Sequence, residues 1–199
     1  MDYKKMLSEK ENLEKRLKEL GVFEKISLKN VKTEIGHDLC GYYCDVYLKG
    51  HGNIGYVNDD GWGGDVSPTY LNEDKKLAFE KLLKDNNVAQ LMFDNGWSFM
   101  KTIDRIDLDC QAVSIVEMKL NMIDAEKFEK KRTKATEKGI IYGTDSTYKS
   151  ASYNMPLKAV ALHKGGVEAI QNVYNRVKKG LKEGEKIFNT NLEELGIKL

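Results

Sequence analysis

The chain has 199 residues, 41% hydrophobic and 32% charged, which suffices for one well-buried core or for a compact domain with a smaller helical one. Its net charge of +1 excludes an acidic nucleic-acid mimic and a generally basic binding surface, and its apolar residues recur throughout, which excludes a disordered chain. Cys40, Cys44 and Cys110 are too few and too scattered for a disulfide framework, so a protein of the reducing cytoplasm is expected.

In chain order, residues 2–20 read as an amphipathic helix. Tyr3, Met6, Lys10, Leu13, Leu17 and Leu20 form one seam, and Gly21 stands where a helix end favours glycine. That seam could serve packing within the domain or self-association. From Ile26 the period changes to two, with Ile26, Leu28 and Asn30 alternating with Ser27 and Lys29. Tyr42, Cys44, Val46 and Leu48 then alternate with Tyr43, Asp45, Tyr47 and Lys49, the pattern of a half-buried strand. Gly50–Asn53 supplies a turn, Ile54–Val57 the return strand, and Val66–Tyr70 a further strand beyond a loop over 58–64. Short strands joined by short turns make an antiparallel meander.

Asn72 is placed to cap a helix that runs to about Asp85, supported by Leu77, Leu82 and Leu83. A long helix is predicted from about Asp104 to Lys134, acidic early and basic late as the helix dipole favours. Alternation of Val116, Met118, Leu120 and Met122 with Glu117, Lys119 and Asn121 offers a strand there instead. A second hairpin is expected from Gly139–Tyr142 and Tyr148–Tyr153, then helices from Pro156 to His163 and from Val167 to about Lys182, and a last turn around Leu192–Leu195. The fold class is therefore α+β: an antiparallel sheet, meander plus second hairpin, packed with several helices behind an N-terminal amphipathic helix. The division expected is a helix over 1–22 and a single domain over 23–199, with 156–199 as a helical subdomain.

Few positions could carry chemistry. His37, Cys40, Cys44 and His51 are zinc donors by type, but Cys40 and Cys44 project from one face of a strand rather than from a knuckle, so no metal is expected. The loop Asp59, Asp60, Gly61, Trp62, Gly63, Gly64, Asp65 has carboxylates and flexible backbone suited to a cation or phosphate. It matches neither an EF-hand nor a P-loop, and its simplest reading is a sheet turn. Trp62 within it is the kind of aromatic anchor that binds a protein partner or a base, or it folds back on the core. Lys164, Gly165 and Gly166 open a helix, where free N–H groups attract anions, but two glycines also simply separate two helices. Neither His37, His51 nor His163 stands in a nucleophile motif, so no catalytic residue is assigned and no cofactor is expected. Residues 126–199 hold 15 Lys/Arg and 9 Asp/Glu, against 17 and 22 in residues 1–125, which leaves nucleic-acid binding by the basic C-terminal third as an alternative. No run approaches the roughly 20 apolar residues that a membrane span needs.

The run Tyr43-Cys44-Asp45-Val46-Tyr47-Leu48-x-Gly50, followed by Gly55-x-Val57 and Asp60-Gly61-x-Gly63-Gly64, resembles a strand-turn pattern in uncharacterised small accessory proteins of bacteriophages and mobile elements. The segment from Leu181 through Gly184, Ile187, Asn189 and Leu192 to Leu195-Gly196 is similar to the end of such proteins. The resemblance implies an accessory protein of the host cytoplasm that binds a host protein, with inhibition of antiviral defence as the most concrete form. A nucleotide or small-ligand binder, acting as a signal sponge, is the alternative. No catalytic residue comes with the resemblance.

Overall fold

The structure, a computed structural model, describes residues 3–35, 40–62, 66–96 and 102–199; side chains are described within these from residue 8 onward, those of residues 34, 35 and 40 excepted. The expected α+β class is what the chain adopts, with antiparallel sheets and several helices. Its division differs from the expected one. The chain forms two compact units, Met1–Ile123 and Asp124–Leu199. The N-terminal helix is not a separate element, because Leu13 and Leu17 are buried in the core of the first unit.

In the first unit, α1 (Tyr3–Glu19) ends at Gly21, whose φ of 67° lets the backbone turn into the short α2 (Val22–Lys25). Leu13 and Leu17 are completely enclosed, and each such leucine contributes about 1.5–3 kcal/mol of burial. Those two seam residues therefore serve the unit's own core rather than self-association. Leu20 is left 47% exposed, and the side chains of Tyr3 and Met6 lie outside the described residues.

A four-stranded antiparallel meander follows in the order β1 (Ile26–Ile35), β2 (Cys40–Leu48), β3 (Gly52–Asp59), β4 (Pro68–Tyr70). Period-two alternation sends Cys44, Val46 and Leu48 of β2 into the core beside Ile26, whereas in β3 the register shift between Val46 and Tyr47 lets Ile54 and Val57, three residues apart, both face it. Asn30 does not continue the alternation. It has φ 50° and falls where the β1–β2 register shifts between Lys29 and Lys32, a bulge that twists an edge strand. Gly55 is required in β3: its φ is 152°, and a Cβ would come within 2.0 Å of the Thr69 carbonyl oxygen.

Helix α3 (Glu73–Asp85) is capped as expected, the Lys75 amide donating to Asn72 Oδ1 at 3.0 Å. It buries Phe79, Leu82 and Leu83, an i, i+3, i+4 set, and leaves Leu77 exposed, so its buried face is not the one that the leucines alone suggest. Helix α4 (Val88–Asp94) was not expected: seven residues give too little periodicity to read between Asn86-Asn87 and Asn95-Gly96. Helix α5 (Leu108–Thr136) resolves the ambiguity over 116–122 in favour of helix, since Ala112, Ile115 and Val116 are fully buried at helical spacing. A 3-10 turn over Ile103–Arg105 occupies the start predicted for that helix. The boundary between the units falls within α5.

The second unit holds a three-stranded antiparallel sheet in the order β6–β5–β7, made of β5 (Gly139–Gly143), β6 (Tyr148–Ser152) and the two-residue β7 (Lys186–Ile187). Helices α6 (Leu157–Leu162) and α7 (Gly166–Lys179) contribute Leu157, Ile170, Tyr174 and Val177 to its core, beside Ile140, Leu192, Leu195 and Ile197. One polar side chain fastens this small core. Asn189 Oδ1 accepts from the Ile141 amide at 2.8 Å, while Nδ2 donates to the carbonyls of Gly139 at 2.9 Å and Thr136 at 3.2 Å. It thereby ties the end of α5 to β5 and to the segment after β7. Among the described residues no helix is long and apolar enough to cross a membrane.

Candidate functional site

The loop after β3 begins as two successive side-chain turns. Asp59 Oδ1 accepts from the Gly61 amide at 2.8 Å, and Asp60 Oδ1 accepts from the Trp62 amide at 2.9 Å. Gly61 is buried, with φ 72°. The loop lies directly on β2, because a Cβ at Gly41 would meet the Asp59 carbonyl oxygen at 2.4 Å and the Gly61 amide nitrogen at 2.9 Å. Each aspartate thus has a structural role, folding the backbone that carries Trp62. The indole is 64% exposed. Gly63, Gly64 and Asp65 lie outside the described residues.

The outer face of the four-stranded sheet carries a second feature. Alternation places Tyr43, Asp45 and Tyr47 of β2 opposite the core-facing residues, and the register sets Asp45 beside Lys29 on one side and Tyr56 on the other. Tyr43 donates its hydroxyl to Asp45 Oδ1 at 2.7 Å, and Asn30 Nδ2 donates to Asp45 Oδ2 at 2.6 Å. These two hydrogen bonds, Tyr43's the larger cause, hold the Asp45 carboxyl below its usual range. The rings of Tyr43 and Tyr56 lie 5.5 Å apart at 30°, and the Lys29 ammonium sits 4.2 Å from the Tyr47 ring centre. Sequence patterning set Tyr43 and Tyr47 on one side of a half-buried strand and assigned Tyr56 to no face, because its place beside Asp45 depends on strand pairing.

The third feature is at the core side of the same strands. The Tyr42 hydroxyl is buried with no hydrogen bond of normal geometry. Burial, then the nearby Glu117 charge, raises the pKa of that phenol. Loss of hydration likewise raises Glu117, with Asp59 adding to the rise and Lys10 opposing it. Cys110 is pushed up to about 11 by burial first, then by Asp107 and Glu117. Cys44 is a core residue, also pushed up to about 11 by burial. Both thiols are therefore held protonated and unreactive at neutral pH.

The zinc-type donors do not converge among the described residues. Cys44 faces the core, His51 is exposed in the turn before β3, the Cys40 side chain is not described, and His37 lies outside the described residues. No group of three His, Cys, Asp or Glu side chains suited to a metal occurs among the described residues.

In the second unit, Lys164, Gly165 and Gly166 form the break between α6 and α7. Gly165 has φ 76°, and a Cβ on buried Gly166 would lie 1.7 Å from the Val160 carbonyl oxygen. Both glycines are accounted for by the sharp turn and the close helix approach, without an anion. An open groove of about 710 Å³ runs beside them, lined by His163, Val167, Glu168, Gln171 and Lys198 among others. Several bases of the C-terminal third are already paired: Lys149 with Glu185 at 2.9 Å, Lys186 with Asp145 at 2.6 Å, Lys127 with Asp124 at 3.0 Å, and Arg132 with Glu129. This pairing lowers the field available to a polyanion.

No protein-family model matches the chain, and no curated protein or solved structure matches it.

Proposed function

We propose that the chain is a binding protein, an accessory product of a phage or mobile element that engages a protein of its bacterial host. Interference with an antiviral defence system is the concrete form of this reading, suggested by the strand-turn resemblance. The observation that carries the binding role is Trp62, 64% exposed on a turn held by Asp59 and Asp60. A large aromatic on pre-organised backbone loses little entropy on docking, and tryptophan is enriched among residues that dominate interfaces. The reading is further supported by the roles found for other candidates: both thiols are protonated, and the 165–166 glycines are needed for packing.

The test compares wild type with Trp62→Ala, captured by affinity tag from a bacterial host after expression in vivo. The variant should unfold within about 0.5 kcal/mol of wild type, as exposed positions generally do. It should lose a host protein that wild type retains, and with it any protection of infecting phage. Identical captures from the two proteins, or no reproducible partner and no effect on infection, would remove the proposal. The groove beside Gly165 favours a second reading, a small-ligand binder, which a thermal-shift screen with nucleotides would support only if binding is lost on blocking that groove at Gln171.

A further inference from the structure

Among the described residues the two sheets leave four edge strands, β1, β4, β6 and β7, and three of them carry a feature that discourages pairing with another chain. Strand β1 has the bulge at Asn30 with Lys29 and Lys32 beside it, β4 is three residues long and starts with Pro68, and β7 has two residues. Strand β6 has none of these. Its register with β5 is unbroken from Tyr148 to Ser152, it contains no proline, and Lys149, Ser150 and Ser152 are exposed. Its one charge is turned inward: Lys149 passes over the Tyr142 ring of β5 to Glu185 at 2.9 Å, so it does not guard the open side.

The pairing fixes which backbone groups that open side presents. The Ile141 amide donates to Asn189 Oδ1 at 2.8 Å and its carbonyl accepts from the Phe188 amide at 2.9 Å, both on the β7 side of β5. Ile141 and Ser150 are therefore a non-hydrogen-bonded pair of the β5–β6 ladder, and Ser150 turns its own N–H and C=O away from β5. Tyr148 and Ser152, two residues to either side, do the same. Tyr153, in the opposite phase, donates inward to the Lys138 carbonyl at 2.8 Å, as this arrangement requires. The outward groups of Tyr148, Ser150 and Ser152 have no hydrogen-bond partner among the described residues. Donors and acceptors alternating at two-residue spacing are the complement of another extended backbone.

A second β6 supplies that complement in length, phase and charge. In antiparallel pairing centred on Ser150, Ser150 faces Ser150 of the second copy and Tyr148 faces Ser152 of the second copy. Each of the three outward residues then donates one hydrogen bond and accepts one, and Lys149 falls opposite Ala151. Centring on Lys149 instead sets two lysines directly opposite one another, and centring on Ala151 leaves Tyr148 outside the ladder. A foreign peptide is recognised in strand addition through pockets for its alternate side chains. Ser150, Ala151 and Ser152 are too short to wall such pockets, and none of them lines the groove beside Gly165. Two-fold pairing also uses up the open edge, so assembly stops at two.

We infer that β6 is a dimerisation strand, through which two copies of the chain pair edge to edge and antiparallel about Ser150, joining their three-stranded sheets. Backbone bonds and short side chains bury little area, so the dimer is reversible and depends on concentration.

Sedimentation velocity of the full chain across a wide range of concentration, with residue-resolved amide exchange by NMR, tests this pairing. The expected result is a monomer–dimer equilibrium in which the Tyr148, Ser150 and Ser152 amides exchange more slowly as concentration rises. Ser150→Pro deletes an outward N–H that β5 does not use, and Ser150→Lys sets two ammonium groups across the two-fold axis. Each should weaken dimerisation about tenfold or more with thermal unfolding unchanged. If Ser150→Pro fails to fold, Ser150→Lys, which leaves every backbone group in place, carries the comparison. A chain that stays monomeric throughout, a dimer that the folded variants retain, open-ended larger assemblies, or amide protection absent at these three residues would each overturn the inference.

Discussion

The two units build stability from different materials. The first encloses a broad apolar core contributed by helices, a meander and the first part of α5, with Leu17, Phe79, Leu83 and Ile115 among its fully buried residues. The second has a smaller core, and the Asn189 amide ties its three-stranded sheet to the end of α5. A broad core can carry an aromatic face turned to water without relying on it for folding. A small core that relies on polar bonds cannot lose them cheaply, so Asn189 has structural work in the second unit.

The largest effect should come from the first unit's core. Leu17→Ala leaves a cavity where the side chain is completely enclosed, at a cost of about 2–5 kcal/mol in urea unfolding. Leu20→Ala, a few residues along the same seam, should change little. Equal effects at the two positions would break the claim that α1 belongs to this core.

Next comes the clamp of the second unit. Asn189→Ala removes three hydrogen bonds and strands the Ile141 amide and the Gly139 carbonyl, for roughly 2–4 kcal/mol. Hydrogen exchange should show the loss first in β5 and the segment after β7. If exchange rises equally in the four-stranded sheet, the units are not energetically distinct.

A smaller effect concerns pH. Folding raises the Glu117 carboxyl above its ordinary range, chiefly through lost hydration. The folded chain therefore holds this proton to higher pH than the unfolded chain does. Glu117 accordingly contributes a destabilisation that is absent in acid and grows as pH rises from the ordinary carboxylate range through the raised value. Glu117→Gln should flatten that part of the stability profile, matching wild type near pH 4 and equalling or exceeding it at neutrality. A variant less stable than wild type at neutral pH would contradict this account.

Much of the fold was legible because it rests on local pattern. The alternation of Tyr42–Leu48, the Asn72 cap and the Gly165–Gly166 break all appear where residue chemistry puts them. Helix α4 and strand β7 were not legible, being too short to show a period and held by tertiary packing. The division into units falls inside α5, close to the point where the charge balance changes sign, but a continuous helical pattern across it hid the boundary. At the candidate site, Trp62 could be singled out because a bulky aromatic in a glycine-rich turn is conspicuous. The structural duties of Asp59 and Asp60 required knowing which amides they accept from. The Tyr43–Tyr56 contact required the β2–β3 register, whose shift between Val46 and Tyr47 sequence alone does not locate.

The central claim is the proposed one, that the chain binds a host protein through the Trp62 turn. Hydrogen–deuterium exchange of the full chain, alone and with the captured host protein, tests it most directly. The account predicts added protection in peptides covering residues 59–62, with residues 139–199 unchanged. Protection confined to the second unit, or none across the Trp62 turn, would contradict it.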